Sequence, residues 1–348
     1  MSSKNNFTFL RLLFALLVLL AHAPEMIDGN RGRELLTLWT HRMSFGDLGV
    51  DCFFIISGFL VSKSWEERPH LSVYLKKRVL RIYPGFIAAF FLSALVIGRL
   101  GAASSAYFFQ LDYTGLLRDA ALLLQPSTPA VFPGHPWGRV NGALWTIHYE
   151  AFCYLAVAAI GLSGLFKRRI FWLTLLLCCF VMWMNLDRPI FGPLLTVLTE
   201  GSLSQIFRFA TFFVTGACFY LFRSKIRYSK SGAAIAVTAL FLSLNDDVWF
   251  QLMLATFGAY LLFFFAFAKL PVLKWFQGAP DISYGTYLYG WPAQKLLVQY
   301  FPELSPWAVF MFSVIVSCVC GYLSWHFVEK RFMRKEKRKR ISAAVSLR

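Results

Sequence analysis

The chain has 348 residues, of which 57% are hydrophobic, 18% aromatic and only 15% charged, and it carries a formal net charge of +17. So high an apolar share with so few charges excludes an ordinary soluble domain and a disordered chain. The positive charge is spread over many loops rather than gathered on one soluble domain, which argues against nucleic acid as its partner.

Apolar runs close to the roughly 20 residues that cross about 30 Å of hydrocarbon as a helix recur along the whole chain. They predict an all-α fold, a polytopic transmembrane helical bundle of ten spans. The spans are placed at 7–27, 46–64, 84–102, 142–164, 170–187, 205–222, 232–246, 248–268, 281–300 and 306–328. Residues 1–333 read as one transmembrane domain and 334–348 as a basic tail.

The first run, "FLRLLFALLVLLAHA" (residues 9–23), has the look of a cleavable leader, with a basic residue, an apolar stretch and small residues after it. The companions that follow make it a membrane helix instead. As a helix from Phe7 to Ile27 it holds both Arg11 and His22. Eleven residues are about three turns, so the two side chains share a face about 16 Å apart along the axis. Ionisable groups at that depth are costly, turn toward the bundle interior and are candidate site residues. Taken singly, Arg11 also reads as an arginine snorkelling to head groups and His22 as an interfacial histidine.

The second span opens "GDLGVDCFFIISGFLVSKSW", where the glycines suit close helix packing. Asp47 and Asp51 near its start and Ser57 within it supply polar groups for a substrate. Next, "YLKKRVLRIYPGF" sets Lys76, Lys77, Arg78 and Arg81 ahead of Pro84, a residue suited to opening the third span. Arg78 and Arg81, three apart, could clamp a phosphate through their planar forks, or serve as a plain basic loop. The fourth span begins "NGALWTIHYEAFCYL". Glu150 there is a carboxylate in an apolar setting and needs a partner, with Trp145, His148 and Tyr149 around it. A Glu that orients His22 would make that imidazole a general base for a hydroxyl.

Later elements are simpler. The ninth span is interrupted by Pro292 and Lys295, and the tail "EKRFMRKEKRKR" reads as an anchor toward anionic lipid. The seven cysteines form no disulfide framework, because their number is odd and most lie in apolar spans. No zinc spacing or phosphate loop is evident, so no metal is expected and any reaction is built between helices. With the N-terminus inside, 25 of the 35 Lys and Arg fall in cytoplasmic segments and eight opposite, so both termini are expected in the cytoplasm.

In order along the chain, several of these stretches resemble acyltransferase family 3, the integral membrane O-acyltransferases. Arg11 and His22 match the family's Arg, ten residues, His pattern. The likeness continues through "GVDCFFIISGFL" (49–60), "KKRVLRIYP" (76–84), "LWTIHYE" (144–150), "ISYGTYLYGWP" (282–292) and "FVEKRF" (327–332). The resemblance implies transfer of an acyl group, often acetyl, from cytoplasmic acyl-coenzyme A to a hydroxyl of an extracytoplasmic glycan or lipid-linked oligosaccharide. It implies an inner-membrane location, no permanently bound cofactor, and membrane lipids and separate polysaccharide-assembly proteins as partners. The expected roles are catalytic for His22, Glu150 and Arg11, and donor binding for Arg78, Arg81, Lys77 and Arg11. The acceptor is expected against Asp47, Asp51, Ser57, Trp145, His148 and Tyr149. Two departures stand out: Gly290 occupies a place where many relatives have His, and the esterase-like domain of some relatives is expected to be supplied, if needed, by a separate partner. The competing class is a transporter or flippase, with Arg11, His22, Glu150 and Lys295 as relay groups.

Overall fold

The computed structural model describes residues 5–186 and 202–333. Lys4 and Arg188, both counted in the charge pattern, and the basic tail 334–348 lie outside the described residues. Among the described residues all regular structure is helical, with no strand. Helices α1 (Phe7–Asp28), α2 (Leu35–Thr40), α3 (Phe45–Glu67) and α4 (Leu71–Gly101) come first. They are followed by α5 (Tyr113–Ala121), α6 (Gly142–Leu162), α7 (Arg169–Asn185) and α8 (Ser202–Leu221). The last four are α9 (Lys230–Asn245), α10 (Asp247–Phe267), α11 (Ser283–Tyr300) and α12 (Pro306–Met333).

Six of these, α1, α3, α4, α6, α10 and α12, are long and apolar enough to cross a membrane. The sequence reading expected ten such spans. Helices do stand at the other four places, but α7 has 17 residues and α11 only 18, with many polar groups among them. The largest shift is in α4. The sequence reading treated residues 63–81 as a basic loop and opened the span at Pro84, whereas the helix starts at Leu71 and Pro84 lies inside it. Lys76, Lys77, Arg78 and Arg81 are good helix formers, so a hydropathy window misses their turns while the backbone does not. The long connections 29–44 and 102–141 also contain α2 and α5, which no apolar run announces.

The chain divides into two compact units. The first comprises 1–10, 50–75 and 149–277. Here Gly58 and Gly216 face each other's helices: a Cβ on Gly58 would strike the carbonyl of Phe213, and one on Gly216 that of Ile55. The glycines bring α3 and α8 together backbone on backbone, as small residues do in membrane bundles. The rings of Phe54 and Phe209 stack beside them at 4.4 Å.

The second unit comprises 11–49, 76–148 and 278–348. Its α11 and α12 meet at Gly285 and Gly321, where a Cβ on Gly285 would lie 2.6 Å from the Gly321 Cα. In α11, Pro292 has no N–H for the carbonyl four residues back, that of Leu288. Asn141 fills the gap, its Nδ2 donating to the Leu288 oxygen at 2.9 Å and to Ser93 Oγ at 3.0 Å. Its Oδ1 accepts from the Ala143 N–H at the start of α6. One buried amide thus serves three elements. Asn141→Leu is expected to cost about 2 kcal/mol, the penalty for stranding buried polar groups, read as a lower unfolding midpoint in detergent. A midpoint equal to wild type would show that the Leu288 carbonyl finds another donor.

In the 102–141 connection, Asp119 ties α5 to the turn after it. Burial would raise its pKa, but hydrogen bonds from Ser127 and Arg118 outweigh that and hold the carboxyl below the usual range.

Candidate active site

α1 is continuous through both of its charged residues and through Pro24, so Arg11 and His22 stand three turns apart on one rigid element. At the His22 end, Nδ1 of the imidazole lies 3.0 Å from Oε2 of Glu25. Glu25 is three residues on, one turn along the same helix face. The carboxylate is 2% exposed and its other oxygen accepts from Arg31 Nε at 2.6 Å. The His22 ring also meets Trp291 of α11 edge to face, with centroids 5.0 Å apart. Of the groups packed on His22, Glu25 fixes one ring nitrogen and Trp291 fixes the ring plane. The side chain remains 18% exposed.

The carboxylate on His22 is therefore Glu25, where the sequence reading had placed Glu150. Glu150, in the first unit, is held by other groups: its Oε1 accepts from Ser57 Oγ at 2.7 Å and from Tyr154 OH at 2.6 Å. Tyr154 lies one turn beyond Glu150, and its carbonyl accepts from Tyr74 at 2.9 Å. Within its unit Glu150 is a hydroxyl-lined carboxylate.

At the Arg11 end, Arg11 and Arg81 converge on a single oxygen, Oδ2 of Asp281, the Arg81 contact measuring 2.9 Å. Ser283 at the start of α11 binds the other oxygen at 2.5 Å. Arg81 also lies 3.7 Å from Glu329 of α12, which is 1% exposed and accepts from Ser324 at 3.2 Å. The Arg81 guanidinium sits 5.8 Å over the ring of Tyr284. Two cations and two carboxylates thus form one network from α1, α4, the segment before α11, and α12. Arg78, partly buried, lies on the same helix as Arg81, with Lys77 beside it.

The remaining sequence candidates are engaged with protein groups. Asp47 forms a reciprocal cap with Ser44 at the start of α3, accepting from its hydroxyl at 2.7 Å. Asp51 takes a two-pronged contact from Arg208 at 3.1 and 3.0 Å. Tyr149 is buried with its ring against Phe209 at 5.2 Å, and Trp145 and His148 are partly buried. Gly290, the departure from the family pattern, has the side chain of Leu19 where a Cβ would go. An imidazole there needs residue 19 to swing aside or to be smaller.

Sequence reasoning missed Glu25, Arg31, Asp281 and Glu329. The first was within reach, since a histidine and a glutamate three apart on a predicted helix face each other. The pairing of Asp281 and Glu329 with Arg11 and Arg81 carries no local signal, because these cations are far away in sequence.

A helical chain with membrane-length helices and an imidazole–carboxylate pair inside the first of them fits the class of integral membrane transferases. The profile of the acyltransferase domain matches residues 4–326, and the chain belongs to that acyltransferase 3 family. Five of the six motifs quoted above lie within the matched range, with 327–332 just beyond it. The chain is similar to an O-acetyl transferase of Shigella phage Sf6, 24% identical over 96% of this chain and 98% of that one. It is also similar to Nodulation protein 10 of Rhizobium leguminosarum bv. viciae, 33% identical over 44% of this chain and 43% of that one. No solved structure matches the chain.

Proposed function

We propose that the protein moves an acyl group, acetyl first among the candidates, from cytoplasmic acyl-coenzyme A to a hydroxyl of an extracytoplasmic or lipid-linked polysaccharide. The observation that carries this reading is the His22–Glu25 pair, three turns from Arg11 on one helix, inside the matched family domain. The name of the phage relative, an O-acetyl transferase, supports acetyl. The distribution of Lys and Arg supports an inner-membrane orientation with both termini in the cytoplasm.

In the proposed reaction Glu25 accepts from Nδ1–H of His22, which leaves the Nε2 lone pair for the acceptor. Nε2 takes the proton of the sugar hydroxyl as its oxygen attacks the thioester carbonyl. The carbon–sulfur bond then breaks, and the imidazolium returns its proton to the departing thiolate. Glu25 stabilises the imidazolium between the two transfers. Arg11 and Arg81, together with Arg78 and Lys77, bind the phosphates of coenzyme A, whose forks suit planar, charge-assisted contacts. Asp281 and Glu329 hold those guanidinium groups in register.

The test is label transfer from radiolabelled acetyl-coenzyme A into the glycan and glycolipid fractions of membranes that contain the protein. Incorporation above membranes lacking it supports the reading. None, with candidate acceptors supplied, overturns it, and glycan movement without consumption of acetyl-coenzyme A would establish a transporter. A finer expectation concerns Glu25. Glu25→Gln keeps a hydrogen-bonding group beside Nδ1 but not the charge, and should lower the transfer rate about 10- to 100-fold, as loss of such supporting groups commonly does. An unchanged initial rate would remove Glu25 from the mechanism.

A further inference from the structure

Lys295 is the residue the reaction scheme leaves unused. It lies in α11, is 0% exposed, and its Nζ has no hydrogen-bond partner among the described residues. A buried ammonium without a contacting anion is expensive, and such a group in the interior of a helical bundle is a candidate ligand contact. The ring of Phe132 lies close to it, its centroid 5.5 Å from Nζ.

The nearby charges show why it is unpaired. The carboxylate whose field reaches it is Glu25. Both Glu25 oxygens are already taken, one by His22 and the other by Arg31 at 2.6 Å. With neutral imidazoles, the Glu25 charge is balanced by Arg31, and Lys295 remains as one positive charge in excess. His135, in the 102–141 connection, feels that excess. Burial and then the Lys295 charge lower its pKa, against a hydrogen bond with Gln299 that raises it.

Lys295 is also tied to the reacting centre. Trp291 is one turn back on the same face of α11 and packs on His22, while the neighbouring Gln294 donates to the Leu19 carbonyl at 2.7 Å, three residues before His22. Gln294 has its own Oε1 buried without a donor. Lys295 is thus a buried cation one turn along α11 from the ring that packs on His22, and it fits a negatively charged group.

We infer that Lys295 is the anion subsite for the acceptor, which carries a carboxylate or phosphate on the sugar next to the hydroxyl that His22 deprotonates. This rests on the reading of His22 as the base at an acceptor hydroxyl. The Phe132 ring lies against the ammonium, and a cation–π contact of about 0.5–2 kcal/mol is weak enough to yield to a full negative charge. Entry of the acceptor turns that ring aside and pairs the ammonium.

The experiment is direct binding, which does not depend on turnover. Purified full-length protein in detergent is titrated calorimetrically with methyl β-glucoside, methyl β-glucuronide and methyl β-glucoside 6-phosphate, for wild type, Lys295→Gln and Lys295→Arg. Wild type is expected to bind one of the anionic glycosides at least tenfold more tightly than the neutral one, and which of the two it is identifies the anion. Lys295→Gln should lose the preference and Lys295→Arg should keep it. Equal or absent binding of all three by wild type, or a preference that survives in Lys295→Gln, overturns the inference. Label transfer by wild type is read separately, so a neutral acceptor would sink the anion subsite and leave the acyltransferase reading standing.

Discussion

Membranes containing His22→Ala should transfer acyl label at least about 10³-fold more slowly than wild type, within the range that removal of a general base produces. The protein should still insert and remain folded, because the side chain is partly exposed and its contacts are few: Glu25 at 3.0 Å and the edge of Trp291. Glu25 keeps Arg31, so its charge is not stranded. The measurement is label incorporation beside a quantification of monodisperse protein extracted in detergent. Full activity in His22→Ala would remove the proposed base.

Arg81→Ala is the second large effect, and its signature differs. Arg81 is the residue shared by Asp281 and Glu329, so truncation removes a donor-binding fork and leaves Glu329, 1% exposed, with Ser324 alone. Breaking a buried ion pair from one side costs about 3–5 kcal/mol, to be discounted toward the lower end because Arg81 is 19% exposed. The unfolding midpoint should therefore drop. In the protein that survives, the apparent KM for acetyl-coenzyme A should rise about 10- to 100-fold, with a smaller change in kcat. Arg81→Lys restores the charge but not the fork, and should recover stability more than donor affinity. A KM equal to wild type in Arg81→Ala would detach the network from the donor.

The first helix was legible because its evidence is local. Arg11 and His22 are separated by a near-integral number of turns, and the apolar run around them has the length of a span. The start of α4 was not legible to hydropathy, since its first turns carry the cations that the method reads as loop. The His22 carboxylate was misassigned for a related reason: Glu25 sits past Pro24, near the end of the predicted span, while Glu150 stands conspicuously in an apolar stretch. Asp281 illustrates a harder limit. Its contact with Arg11 joins positions 270 residues apart, and no periodicity or spacing reports a pairing that only folding creates. Lys295 fell between these cases, visible as an anomaly in the ninth span but without the neighbours that give it meaning.

The Leu19 side chain beside Gly290 restricts how this enzyme can change over generations. A Cβ at position 290 would lie 2.4 Å from a Leu19 methyl, so Gly290→His needs residue 19 to swing aside or to be smaller. A smaller residue opens a void of several methyl groups, a loss of about 2–5 kcal/mol for a buried leucine cut to alanine. The two positions are therefore coupled through packing, and a change at one alters what the other tolerates.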